Sequence, residues 1–370
     1  MRAAVPPELR ALRGQIKASF EQRRDRKRVL RPPVTFPVDP SRPAPMPAPA
    51  SPPTYDILVL SAGGQFGAYG SGFLAGWGER TDLAPNRGDV DMVTGVSTGA
   101  MMATYAYLGA SFDPAVRAKY DALLKEEYTT LRNENVFRKR QPFELLWANS
   151  IYDTAPLRAR IDEVITDTLL QAVVAEHERS QRLLFVGAVN VDSGQFEYFD
   201  LIAIARSGQP ERLRCYRAAV LASAAIPAAF TPVFINNWMY IDGGARRHAF
   251  FLQQVEEALP GVGKTVFGIL HGDLTIPAAD TGNNLIGVVS RTVSIGTDQL
   301  MLDSAYYVDA EARRLGYRPK WTAATATGCD AQGSDDMFDP RLGTCLWDAG
   351  YAKATRDPNP WKDLSEIGIR

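Results

Sequence analysis

No run of about 18 apolar residues occurs anywhere in the 370 residues of this chain, so the sequence offers no transmembrane helix. No charged start followed by an apolar stretch is present either; no secretion signal is visible, and the default expectation is the cytoplasm. Net charge is scarce too: a formal value of -1 argues against nucleic acid as the main partner. Histidine and cysteine number three each. A histidine base must therefore be His177, His248 or His271. Cys215 falls in a helical stretch, whereas Cys329 and Cys345 flank a polar Gly/Asp-rich loop and either stay reduced or close a disulfide. A bridge there, with a different true start, would move the expectation to a periplasmic or secreted protein. No internal repeat is visible.

What is present is a hydrophobic content of 45%, enough for one large core, with no second domain required. The little charge there is lies unevenly: residues 1–32 hold ten Lys/Arg and three Asp/Glu. Within them Leu9, Leu12, Ile16 and Phe20 recur at helical spacing among Arg10, Arg13, Lys17, Arg23 and Arg24. That is a basic amphipathic helix, suited over residues 8–24 either to peripheral contact with an anionic membrane or to packing on its own domain. Ten of the 22 residues from 32 to 53 are proline, which reads as an extended linker. The expected division is a tail and linker over 1–53, a catalytic domain over 54–315 and a loop-rich extension over 316–370.

Past the linker, Tyr55 to Ser61 is an apolar run suited to a buried strand, and it empties into Ala62-Gly63-Gly64-Gln65-Phe66-Gly67. A strand that ends in a glycine-rich loop before a helix exposes unpaired backbone N–H groups near the positive end of the helix dipole, which makes an anion site. The anion is either a nucleotide phosphate or the oxyanion of an acyl transfer. For the nucleotide, the Gly-x-Gly-x-x-Gly pattern fits only with Ala62 in place of its first glycine, and Asp82, at the distance of a ribose-binding acid, has no strand before it. For the oxyanion, a second strand at 90–94 runs into Gly95-Val96-Ser97-Thr98-Gly99, where glycines on either side let a tight bend present the serine hydroxyl. Strand, loop, helix, strand and serine form one β-α-β unit, so the glycine loop and Ser97 share one edge of a parallel sheet.

Farther along, residues 111–180 read as lid and cap helices, with Phe112, Tyr120, Leu123, Leu124, Phe137, Phe143, Leu145, Leu146 and Trp147 as apolar anchors. A hairpin follows over 183–199, then a small-residue helix ending at Ile226-Pro227, a strand 238–241 that delivers Asp242-Gly243-Gly244, a core strand 264–270 and a helix over 284–315. The base for Ser97 stays open at this level. A Ser-Asp-His triad pairs it with Asp242 and His248 or His271, His271 being better placed at the end of a strand; a dyad uses Asp242 alone.

The glycine loop, the Gly-x-Ser-x-Gly turn, Ser223-Ala224-Ala225-Ile226-Pro227 and Asp242-Gly243-Gly244 together resemble the patatin-like phospholipase family over about residues 54–250. The resemblance implies a three-layer α/β/α domain with a mostly parallel central sheet, and a lipid acyl hydrolase acting on membrane lipids or other acyl esters with neither metal nor organic cofactor. By the same resemblance Ser97 is similar to the nucleophile, Asp242 to its proton acceptor, and Gly63 and Gly64 to the oxyanion-hole glycines. Two departures stand out: Ala62 replaces a glycine, and Phe66 stands where the family carries Arg or Lys, which lowers the positive potential of the loop. Either Arg246 or Arg247 could return a cation to the site. A catalytically silent lipid-binding protein on the same fold is the rival expectation.

Overall fold

A computed structural model describes residues 7–29, 54–83, 85–141, 143–274, 280–329 and 336–368; the proline-rich stretch read as a linker lies outside them. The order opens with helix α1 (Pro7–Val29), strand β1 (Tyr55–Leu60), helix α2 (Gly67–Glu79), strand β2 (Met92–Val96) and helix α3 (Thr98–Gly109). Next come α4 (Pro114–Thr129), α5 (Asn133–Val136), the short strands β3 (Arg138–Lys139) and β4 (Tyr152–Asp153), α6 (Ala155–Val164) and α7 (Asp167–Ser180). Strands β5 (Leu183–Asn190) and β6 (Gln195–Asp200), helices α8 (Leu201–Arg206) and α9 (Arg212–Ser223), and strands β7 (Val233–Ile235) and β8 (Trp238–Asp242) follow. The last elements are α10 (Gln254–Ala258), β9 (Lys264–Leu270), α11 (Leu285–Arg314), β10 (Arg318–Ala323) and α12 (Pro340–Arg356).

The main sheet runs in the order β10-β9-β1-β2-β5-β8-β7, with β6 also on β5. Its centre is parallel: β10 with β9, β9 with β1, β1 with β2 and β2 with β5. Strands β1, β2, β5 and β9 are buried along their whole length, the pattern of parallel strands covered on both faces. Leu58, Leu60, Val93 and Val186 face the layer that includes α2, α3, α9 and α12. Their neighbours Ile57, Val59, Met92 and Phe185 face α1, α10 and the C-terminal half of α11. The result is a three-layer α/β/α fold with a mostly parallel sheet. Among the described residues no helix is long and apolar enough to cross a membrane.

Two expectations change and one open alternative closes. Residues 316–370 are no loop-rich extension: β10 adds an edge strand to the main sheet and α12 packs along α2. Glycines and aspartates around 328–336 interrupt the pattern without ending the fold, and Cys329 and Cys345 close a disulfide there with a Cα–Cα distance of 5.8 Å. The basic helix α1 is the second case. Leu12, Ile16 and Phe20 are buried in the core, so of the two readings left open for this helix its apolar face takes packing on its own domain. Its inner end is held by Arg23, whose guanidinium donates to Asp91 Oδ1 at 2.7 Å and to the Gly88 carbonyl at 3.0 Å, with both side chains buried. Third, Phe143, Leu145 and Trp147 are exposed rather than anchored, because the segment between β3 and β4 is irregular and turns away from the core.

Asp91 also accepts from the Asp56 amide at 2.7 Å, so the α1 contact reaches both strands that lead to the site. Arg23→Ala strands a buried carboxylate and is expected to cost about 3 kcal/mol or more in urea unfolding, with much of that recovered in the Arg23→Ala/Asp91→Asn double variant. Equal losses in the single and double variants would show that the ion pair is not the seat of the effect.

Candidate active site

Strand β5 sets the geometry. One of its edges pairs with β6 along 185–190. The other edge is shared: β2 covers 183–187 in parallel, and β8 covers 188–190 antiparallel. Strands β2 and β8 therefore meet end to end, with Val96 opposite Gly187 and Asp242 opposite Ala188. The next residue after Val96 is Ser97. Two segments 145 residues apart in sequence thus deliver a hydroxyl and a carboxyl to one point of the sheet edge.

At that point Ser97 adopts φ 54 and ψ -121, a strained conformation for a residue with a side chain. It caps α3, whose dipole points at it. Close approach around the bend requires the flanking glycines: a Cβ on Gly95 would lie 2.4 Å from the Gly99 carbonyl oxygen, and one on Gly99 2.3 Å from that of Leu60. Ser223 holds the turn. Its hydroxyl accepts from Ser97 N at 3.0 Å and donates to the Gly187 carbonyl at 2.5 Å, tying the elbow to β5. The sequence placed Ser223 in a motif without a role; the signal available was a serine at the end of a small-residue helix, which is common for packing reasons alone.

Asp242 is buried, lies next to the Ser97 side chain, and accepts a hydrogen bond from Gly244 N at 2.7 Å. No cation stands among the causes that shift it, so burial dominates and raises its pKa to about 7, against the opposing pull of the Ser97 side chain and Gly244 N. The glycine loop sits beside the pair. Gly63 has φ 150 and Gly64 φ 56, and a Cβ on Gly63 would overlap the His271 carbonyl oxygen at 1.5 Å, so both positions demand glycine. Among the described residues no acceptor takes the N–H of Gly63 or Gly64. Ala62 lies outside the positive-φ region and donates its N–H to the His248 carbonyl at 2.8 Å, so its methyl group costs the loop no geometry.

The histidines stand elsewhere. His271 donates its backbone N–H to Ser61 Oγ at 2.8 Å and its Nδ1 lies 2.6 Å from the Ser61 carbonyl, which makes it a wall of the glycine loop. His248 is buried next to Gly244, and among the described residues neither of its ring nitrogens has a hydrogen-bond partner. Burial lowers both pKa values to about 4, so both rings are neutral. His177 packs in α7 against the Arg182 carbonyl, on another part of the molecule. The arginines do not supply the missing cation: Arg246 reaches the Gly194 carbonyl, and Arg247 lies over the rings of Phe196 and Tyr307. Asp82 is engaged by Arg80 at 2.6 Å on an exposed turn.

Two cavities meet at Ser97 and Gly64. One, of about 100 Å³, is apolar, walled by Met101, Leu124, Tyr128, Ile161, Ile226 and Phe230. The other, of about 590 Å³, is more polar and includes Asp242, His248, His271 and Asp298. An α/β/α fold with a serine on a strained strand-to-helix turn, paired with a buried carboxyl between two such cavities, defines a class of protein. The patatin-like phospholipase model matches residues 58–252, more than half of the chain, and the chain belongs to that family. It is similar to a cGAMP-activated phospholipase of Pseudomonas aeruginosa (strain BWHPSA011 / Pa011), at 29% identity over 238 residues. That match covers 62% of this chain and 66% of the relative, just under two thirds of its length. Among solved structures it is similar to VipD from Legionella pneumophila, at 12% identity and a TM-score of 0.38, with 82% of this chain and 66% of that chain covered.

The raised pKa of Asp242 has a stability consequence. The native state holds the proton up to about pH 7 and the unfolded chain releases it near 3.8, so stability falls as pH rises through this window. Asp242→Asn is expected to unfold at higher urea than wild type, by about 1–3 kcal/mol at about pH 8, with the difference gone at about pH 4. A gain of equal size at both pH values would place the carboxyl in an environment that does not disfavour its charge.

Proposed function

We propose that this protein hydrolyses lipid acyl esters with a Ser97–Asp242 dyad. The observation that carries the reading is the junction of β2 and β8, which brings the Ser97 side chain beside the buried Asp242 carboxyl, on a strained turn next to two glycine amides that no acceptor takes among the described residues. Asp242 accepts the Ser97 proton as Oγ attacks the ester carbonyl, so a new C–O bond forms while the carbonyl electrons move to oxygen. The amides of Gly63 and Gly64 stabilise that oxyanion. Collapse expels the alcohol, which takes up the proton from Asp242, and water then repeats the sequence on the acyl-enzyme. The apolar cavity receives the acyl chain and the more polar one the alcohol portion.

A carboxyl with a pKa near 7 is a better base at neutral pH than an ordinary aspartate, and burial is what makes it so. The same burial keeps His248 and His271 neutral, and neither hydrogen-bonds Ser97 or Asp242, which supports the dyad over a triad. In the rival reading the fold binds lipid without turnover.

Ser97→Ala and Asp242→Asn are each expected to lower p-nitrophenyl ester hydrolysis by about 10³-fold or more, whereas His248→Ala retains turnover. A fluorophosphonate adduct at Ser97 separates catalysis from silent binding; its absence on folded protein would sink the hydrolase reading. Because the base form of Asp242 is the carboxylate, kcat/KM is expected to rise with pH and level off above about 7. A profile already flat from about pH 5 upward would mean that another group takes the proton.

A further inference from the structure

Phe143, Leu145, Trp147 and Ile151 stand in solvent, at 67%, 45%, 84% and 45% exposure, within one irregular segment. That many large apolar side chains in nine residues exceeds the scattered exposure of an ordinary surface. The segment is held at its root. Strands β3 and β4 pair below it, and Ile151 N and Tyr152 N donate to the carbonyls of Ala228 and Ala229, each at 2.9 Å. Phe137 packs on Tyr152 and on Phe230, with ring centroids 4.4 and 5.9 Å apart. Phe230 and Ile226 are walls of the apolar cavity that ends at Ser97. The exposed side chains therefore stand on a segment hydrogen-bonded to the one that walls this cavity, not on a remote face.

Beside them lies a surface hollow bordered by Asn149 of the same segment and by Phe234, itself 59% exposed. Arg158, Arg214 and Arg217 line it against a single acid, Asp162. Asp162 is engaged by Arg217 at 3.1 Å. The side chain of Arg214 is 78% exposed and reaches Glu211 only at 3.7 Å. Arg158 has no carboxylate partner among the described residues. Apolar side chains on a projecting loop, with cations beside them, match the boundary of a bilayer: the aromatics enter at headgroup depth and the guanidinium groups meet phosphate.

We propose that residues 143–151 and the adjoining arginine hollow dock this protein on an anionic lipid bilayer. Phe143 and Trp147 enter the headgroup boundary, and Arg158 and Arg214 take lipid phosphates. The proposal rests on the hydrolase reading in one respect only, that docking here sets the apolar cavity near the source of its acyl chain. Helix α1 is not the anchor, since its apolar face is spent on the core.

The test is co-sedimentation of the full chain with phosphatidylcholine vesicles and with the same vesicles carrying phosphatidylglycerol. Binding is expected to favour the anionic vesicles and to weaken as salt rises. Phe143→Ser/Trp147→Ser lowers affinity about tenfold or more, Trp147→Phe keeps it, and loss of Arg158 and Arg214 by substitution to Gln costs about fivefold per arginine on anionic vesicles alone. Thermal melts matching wild type show that the variants are folded. Soluble p-nitrophenyl butyrate is hydrolysed by them as by wild type; its absence in wild type would count against the hydrolase reading while vesicle binding still reports on the surface. Failure of wild type to bind anionic vesicles overturns the proposal, as does unchanged binding by both double variants. If the Phe143/Trp147 variant instead dissolves an oligomer on sizing while its vesicle binding is intact, the patch belongs to a protein contact and the proposal fails.

Discussion

A carboxyl group buried without a countercharge is the constraint on which the rest of the site depends. Asp242 is held there because β8 ends where β2 ends, on the same edge of β5, which leaves its side chain buried at the wall of the polar cavity. Desolvation disfavours its charge, and Gly244 N and the neighbouring Ser97 side chain offset part of that cost. Each partner thus conditions the other. The Ser97 side chain favours the carboxylate, and in the proposed reaction the reluctance of that carboxylate to stay ionised is what drives it to take the proton.

Holding such a pair in register needs a rigid frame, and the frame is visible in the small contacts around it. Ser223 bridges the elbow to β5, Asp242 N donates to the Ala225 carbonyl at 2.8 Å, and His271 braces the glycine loop through Ser61. The segment 223–225 therefore touches both halves of the pair at once. On the outer side, Arg23 of α1 clamps Asp91 and, through it, the start of β1 and β2. The N-terminal helix is in this sense part of the support of the strands that carry the site, although it contributes nothing to the cavities.

Much of this was legible in the sequence wherever the signal was local. A strand, a glycine loop, a helix and a second strand ending in Gly-x-Ser-x-Gly follow one another within 45 residues, and short-range periodicity suffices to read them. Asp242 was legible only as part of an ordered set, because its position depends on a strand junction that no local pattern encodes. The C-terminal elements were missed for a related reason: β10 is six residues long and is recognisable as a core strand only once β9 is beside it. Periodicity also misled. In α1 it gave the apolar face correctly but not what covers it, and at 143–147 apolar composition alone was taken for burial.

The two departures of the glycine loop have different weights. Ala62 is neutral, since its backbone lies in the ordinary region and the positions that require glycine are the next two. Phe66 is not neutral, for it lines the polar cavity where a cation would have stood, and neither Arg246 nor Arg247 makes up the charge. In the proposed reaction an uncharged loop leaves the oxyanion to the Gly63 and Gly64 amides and the dipole of the following helix, all of which act at short range. A cation at that position would also have lowered the pKa of nearby Asp242. No cation is among the causes that shift Asp242, so in the proposed reaction a loop that offers the oxyanion no charge also leaves the base its raised pKa.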